Sequence, residues 1–130
     1  MRHFISAMLV VAAVIHLSPL SGALGESRLK ALYGLSFNDP SLLVLMQHRA
    51  VLFGMLGVFL LVAAFHPPLQ AFGFGAAFVS VVSFLAIAWS VKGYNAAIQR
   101  VVNVDLLALV CLVLGALALA ASRSSGADAS

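Results

Sequence analysis

The chain has 130 residues, of which 63% are hydrophobic and only 8% charged, with a formal net charge of +3. An ordinary soluble domain is roughly 25% charged, so most of this chain belongs in lipid, and its length leaves no room for a separate soluble catalytic domain. The seven Lys and Arg residues are scattered rather than clustered, which argues against a nucleic-acid surface, and the single cysteine, Cys111, allows neither an intrachain disulfide nor a CxxC pair.

A hydrocarbon core of about 30 Å takes about 20 helical residues. Four apolar runs meet that length, about 4–20, 40–65, 69–91 and 96–121. They predict an all-α fold, an integral membrane antiparallel four-helix bundle in a single domain spanning 1–121. The first run has two readings. Its basic start at Arg2 and His3 and the triplet Ser21-Gly22-Ala23 resemble a cleavable secretory signal, whereas His16, Pro19 and the length of the run fit a retained helix ending in a turn. Next comes a short helical piece from about Glu26 to Tyr33, stopped by Gly34, where a left-handed cap favours glycine.

Asp39-Pro40 reads as N-cap and first helical position, so the second long helix starts at Pro40. It ends at His66-Pro67-Pro68, which allows only a tight hairpin into the third. Lys92-Gly93-Tyr94-Asn95 then breaks the chain, with Asn95 as cap of the fourth helix, and the polar tail 122–130 is expected to be disordered.

Small residues mark where helices meet. Gln47, Ala50, Gly54, Gly57 and Ala64 form one stripe on the second long helix; Ala76, Ser80, Ser83 and Ser90 form one on the third; Ala108, Cys111, Gly115 and Ala118 form one on the fourth. Such stripes let backbones approach closely, so Gly54, Gly57 and Gly115 are assigned to packing. A lone bundle, a homo-oligomer and a subunit of a larger membrane complex all accommodate them.

The polar residues can be placed by depth. An antiparallel bundle brings the end of the first long helix, the start of the second, the end of the third and the start of the fourth to one face, here called face B. His16 is about one turn from its helix end, while His48 and Arg49 lie roughly 12 to 14 Å past Pro40 and Asp105 roughly 15 Å past Asn95, at 1.5 Å per residue. These residues share a layer. Successive residues differ by 100°, so Gln47, His48 and Arg49 cannot all point inward. Gln47 shares the glycine stripe, and His48 borders it, while Arg49 could turn towards the fourth helix, pack under the first connection or snorkel to headgroups. Arg49 and Asp105 are the only deep base and deep acid, and each costs about 2.5 to 3.5 kcal/mol at a helix centre, so matched depth makes a pair the cheapest arrangement. Asn103 lies about 200° from Asp105 and points elsewhere.

His16 and His48, on adjacent helices at similar depth, are the residues through which a haem or a quinone would bind. Hydrogen bonding to backbone is the plainer role for both, so no cofactor and no metal is expected. No HExxH, Walker, GxGxxG or GxSxG arrangement is present.

The segments HLSPLSG, ALYGLSFNDPSLLVLMQHRAVLFG and VVSFLAIAWS with GYNAAIQRVVNVDLLALV resemble a group of small bacterial four-helix membrane proteins of unknown function, loosely similar to DoxX-like proteins. The resemblance covers nearly the whole chain and implies the same bundle, without an established chemistry. Some members carry the name phosphopantetheine adenylyltransferase. That activity needs a soluble nucleotide-binding α/β enzyme with an HxGH motif, and His16-Leu17-Ser18-Pro19 lacks its glycine and second histidine, so it is rejected.

The favoured expectation is a non-enzymatic membrane protein, an accessory subunit or a binder of a small or lipidic ligand in a polar layer formed by His16, Gln47, His48, Arg49 and Asp105. A redox membrane protein using His16 and His48 is the first alternative. A small-molecule transporter is the second, although the membrane-embedded glutamate that compact four-helix exporters need in their first helix has no counterpart here. Face B carries Arg28, Lys30, Arg49, Lys92 and Arg100 against Arg2 and Arg123 opposite, so the positive-inside rule puts face B in the cytoplasm of a bacterial inner membrane, with both termini outside.

Overall fold

The computed structural model describes residues 1–127. Among the described residues it forms five α-helices and no strand: α1 (Arg2–Leu17), α2 (Glu26–Tyr33), α3 (Pro40–Phe65), α4 (Pro67–Val91) and α5 (Ala96–Ala127), with a 3-10 segment, Ser18–Leu24, extending α1. The extended α1 and helices α3, α4 and α5 are each long and apolar enough to cross a membrane. The fold is all-α and that of a multi-pass membrane protein.

Local chemistry sets the helix ends. The Asp39 carboxylate accepts from the Ser41 backbone N–H at 2.8 Å, and Pro40 takes the first helical position of α3. Asn95 Oδ1 accepts from the Ile98 N–H at 2.9 Å and so starts α5. Gly34 adopts φ 65° and donates its N–H to Lys30 O at 2.8 Å, which closes α2. The tight hairpin expected at His66-Pro67-Pro68 forms with His66 alone between α3 and α4, and the two prolines open α4, because the first turn of a helix has no use for their missing N–H groups.

Those prolines leave a debt in α3. An α-helix bonds the carbonyl of residue i to the N–H of residue i+4, and residues 67 and 68 have none to give to Ala63 and Ala64. The structure fills both places. The His66 N–H reaches Ala63 O at 3.2 Å. Ala64 O accepts from Ser6 Oγ of α1 at 2.6 Å and from Gln70 Nε2 of α4 at 3.4 Å. One carbonyl thereby ties three helices together where lipid offers no partner.

The four long helices form a rhombus. α1 packs against α3 and α5, and α4 packs against the same two; α1 and α4 approach across the short diagonal, while among the described residues the backbones of α3 and α5 stay apart. Ile5, Leu9, Ala12 and Ala13 of α1 are buried with Leu60 and Ala63 of α3, Phe74, Ala77 and Val81 of α4, and Ala108 and Leu112 of α5. A smaller cluster, Leu29, Tyr33 and Phe37, seats α2 and the segment after it on face B.

Close approach depends on glycine at a few places. A Cβ at Gly57 would lie 3.0 Å from the backbone nitrogen of Leu17, and one at Gly54 would lie 2.5 Å from a Leu20 methyl carbon. The small-residue face of α3 therefore receives the end of α1 and its 3-10 extension. On α5, a Cβ at Gly115 would lie 2.6 Å from the ring of Phe74.

Two expectations need correction. The serine stripe of α4 is a contact face only in part: Ser80 meets His16 of α1, whereas Ser83 and Ser90 are exposed, and their hydroxyls donate to Ser80 O at 3.0 Å and Ile87 O at 2.8 Å. Serine can satisfy itself on its own helix, so its position carries no directional signal. The buried face is Gln70, Gly73, Phe74, Ala77, Val81, Leu85 and Ala88. Second, α5 continues through Ala127, so the tail expected to be disordered from residue 122 is helical over that stretch. Ser122, Ser124 and Ser125 bond back to Leu119 O and Ala121 O in the same manner. Residues 128–130 lie outside the described residues.

The Gly57 contact is testable. Gly57→Leu is expected to lower unfolding stability in detergent by about 1–3 kcal/mol or more, because the Leu17 backbone cannot move aside. Val58→Leu, on the exposed side of α3, is expected to change it by under about 0.5 kcal/mol. Equal losses in a chemical unfolding titration would remove this contact from the account.

Candidate functional site

Arg49 projects from α3 toward α2, nine residues past the Pro40 start. Its guanidinium carbon lies 4.6 Å from the centroid of the Phe53 ring, one turn further along α3, 5.5 Å from that of Tyr33 on α2 and 6.0 Å from that of Phe84 on α4. Nη1 donates to Tyr33 Oη at 2.8 Å. Aromatic faces attract a cation by about 2 kcal/mol or more where water is excluded, which offsets much of the cost of placing Arg49 there.

His16 backs this arrangement. It is 2% exposed, and its ring stacks on Phe53 with centroids 5.6 Å apart and planes 17° from parallel. Nδ1 lies 2.8 Å from Ala12 O. A carbonyl only accepts, so Nδ1 carries the hydrogen, and Nε2 of the neutral ring accepts from Ser80 Oγ at 3.0 Å. Both ring nitrogens are committed within the bundle.

Asp105 of α5 is 9% exposed. No protein group hydrogen-bonds its carboxylate among the described residues, and none of the fully occluded side-chain oxygens or nitrogens among them lacks a partner, so the carboxylate opens to space. That space is a cavity of about 290 Å³ bounded by the end of α1, the 3-10 segment, α2, α3 and α5. Arg49, Phe53, Tyr33, His16 and Asp105 line its interior, and Ser18, Ala31, Arg100 and Val104 are its exposed lining residues.

The expected polar layer is thus assembled in part. His16, Arg49 and Asp105 come together around one cavity. Gln47 does not join them; its Nε2 donates to Ala23 O of the 3-10 segment at 3.2 Å. His48 is exposed and lies off the cavity, so it shares no site with His16, because the rotation of α3 that turns Arg49 toward Tyr33 carries its neighbour outward. The direct Arg49–Asp105 pair is not formed either: the guanidinium is turned to Tyr33 and Phe53, and the backbones of α3 and α5 stand apart on the long diagonal. Asn103 is exposed and accepts from Gln99 Nε2 at 3.1 Å.

Sequence reading gave Tyr33 and Phe53 no site role, Ser80 only a place in a packing stripe, and Arg100 only a place among the face B cations. Phe53 stands four residues after Arg49, the spacing at which helix neighbours meet, and is the one that pattern signals. Tyr33 and Ser80 come from other elements and have no such signal. The chain matches no known family model, no curated protein and no solved structure.

Chemically, the cavity presents hydrogen-bond donors and an acceptor on separate walls. Arg49 spends one N–H on Tyr33 and has others to offer, and Asp105 offers an open carboxylate. Tyr33→Phe is expected to cost about 1.5–3 kcal/mol of unfolding stability in detergent, the worth of a hydrogen bond to a charged group. In an Arg49→Leu background the same change is expected to cost far less, and a coupling below about 0.5 kcal/mol in that double-mutant cycle would separate the two residues energetically.

Proposed function

We propose that this chain is a non-enzymatic membrane protein that binds a small or lipidic ligand in the cavity between α1, α2, α3 and α5, either alone or as an accessory subunit of a larger complex. The observation that carries this reading is the Asp105 carboxylate, buried yet without a hydrogen-bond partner among the described residues, facing a void that Arg49 also lines. A charge within a membrane bundle costs several kcal/mol unless something answers it, and intramembrane ionisable groups are functional candidates for that reason. A volume near 300 Å³ lies at the lower edge of small-molecule sites. Kinship with the DoxX-like group is compatible with this role and rests on the sequence segments alone.

Purification in mild detergent, followed by mass spectrometry of the molecules that accompany the protein, tests the proposal. Wild type is expected to retain one small-molecule or lipid species in near-stoichiometric amount. Asp105→Asn, nearly isosteric, is expected to lose at least about tenfold of it, the equivalent of one charge-assisted hydrogen bond. Identical inventories from the two proteins would end this reading.

The membrane is proposed to be a bacterial inner membrane with face B in the cytoplasm. Arg28, Lys30, Lys92 and Arg100 are exposed at that face, which supports the orientation. Reporter fusions after residue 130 and within 25–39 should then report an outside C-terminus and a cytoplasmic first connection. The reverse pattern with all four helices intact would invert the assignment.

A further inference from the structure

The cavity walls carry a charge pattern that narrows the ligand class. Two arginines and one aspartate line it: Arg49 of α3, the exposed Arg100 of α5, and Asp105, buried further along α5. A simple anion would satisfy the arginines and be left facing the Asp105 carboxylate. A simple cation would satisfy Asp105 and meet two guanidinium groups. The complementary head is one that carries both signs, with a phosphate or similar oxyanion for the arginines and an ammonium N–H for the carboxylate.

The nitrogen can be specified further. A quaternary ammonium has no N–H to give Asp105 and would seek aromatic faces. The rings that could serve it, Phe53 and Tyr33, already hold the Arg49 guanidinium at 4.6 and 5.5 Å. A primary ammonium needs no such face.

Size and position indicate how the head arrives. About 290 Å³ takes a phosphoethanolamine-sized group but no acyl chains. On the face B side, α2 lies across the cavity through Leu32 and Tyr33. The exposed lining residues are Ser18, Ala31, Arg100 and Val104, and the last of these, 43% exposed, belongs to the membrane-crossing part of α5. The mouth therefore opens sideways, beside the interfacial arginine, into the bilayer.

We propose that the cavity binds the zwitterionic head of an ethanolamine-type phospholipid, entering from the bilayer between the end of α1 and the start of α5, with the phosphate on Arg49 and Arg100, the ammonium on Asp105, and the tails left in lipid. The inference rests on the ligand-binding reading above and adds the chemical class and the route. Free phosphoethanolamine offers the same groups without tails, so the test includes it.

Native mass spectrometry of the full chain in detergent, titrated with phosphatidylethanolamine, phosphatidylcholine and phosphatidylglycerol of identical acyl chains, decides the matter. Wild type is expected to bind the ethanolamine lipid about tenfold more tightly than either of the others. Asp105→Asn should erase its advantage over the choline lipid while sparing the glycerol lipid. Arg100→Gln, a change at an exposed residue, should weaken the ethanolamine and glycerol lipids together by about fivefold to tenfold, and it serves if the Asp105 variant does not fold. Equal affinity for the three lipids in wild type overturns the proposal, as does an unaltered preference in both variants. Displacement of the lipid by O-phosphoethanolamine at concentrations equal to the lipid's own overturns the bilayer route. Retention by wild type of some different molecule that Asp105→Asn loses overturns the ethanolamine head and leaves ligand binding standing, whereas no cavity-dependent molecule at all removes both.

Discussion

The Arg49 guanidinium is the constraint from which face B of this protein is built. A cation lying roughly 14 Å along α3 from its start needs a substitute for water, at 1.5 Å per residue of helix. The substitute is a set of rings, two of which come from other helices, together with one phenol oxygen. Because the phenol belongs to Tyr33, α2 has to lie over the bundle rather than swing free in the headgroups. Asn95 also holds it there, donating Nδ2–H to Tyr33 O at 2.9 Å while its own oxygen caps α5. The placement of α2, the entry of α5 and the rotation of α3 are thus linked through two residues, Tyr33 and Asn95.

The same requirement governs the opposite face in backbone form. Lipid donates no hydrogen bonds, so the carbonyls that Pro67 and Pro68 leave open on α3 have to be met by the protein. Ser6 and Gln70 meet the one at Ala64, and both are polar residues inside runs that composition alone would fill with leucine. Their presence follows from the two prolines on a neighbouring turn. Polar residues in this bundle thus divide into those that repay the backbone, such as Ser6 and Gln70, and those that face space, of which Asp105 is the clearest.

The sequence disclosed depth far better than direction. Lengths of apolar runs gave the four spanning helices, and Asp39-Pro40, Gly34 and Asn95 marked ends that the structure keeps. Counting rises along antiparallel helices also placed His16, Arg49 and Asp105 at one level, and they do surround one cavity. Rotation was another matter. Gln47, His48 and Arg49 differ by 100° steps, and which of them turns inward is decided by Tyr33, a residue on an element with only a weak signature of its own. The α4 serines misled for a related reason: a hydroxyl that bonds its own helix can sit on any face. A cavity is harder still to foresee, since it depends on which two helices fail to meet.

That failure has a mechanical origin. Glycine at 54 and 57 admits the end of α1 against α3, and Gly115 lets the Phe74 ring of α4 nest against α5, while α1 and α4 approach across the short diagonal and the backbones of α3 and α5 stand apart on the long one. Through the middle of the bundle the gap is filled by Leu60, Ala108 and Leu112. Near face B the α3 residues that face it are Arg49 and Phe53, whose side chains turn toward α1 and α2 to meet His16 and Tyr33. The void is therefore the space that solvating Arg49 leaves behind. A bundle selected for stability alone could close it, by replacing Asp105 with leucine and filling the space left over, since an apolar exchange for desolvated charge is often neutral or stabilising. Keeping both a carboxylate without a hydrogen-bond partner and an unfilled cavity costs stability twice. A ligand whose head enters that space relieves the two costs together, and this coincidence is the physical ground for reading the cavity as a binding site rather than as a packing defect.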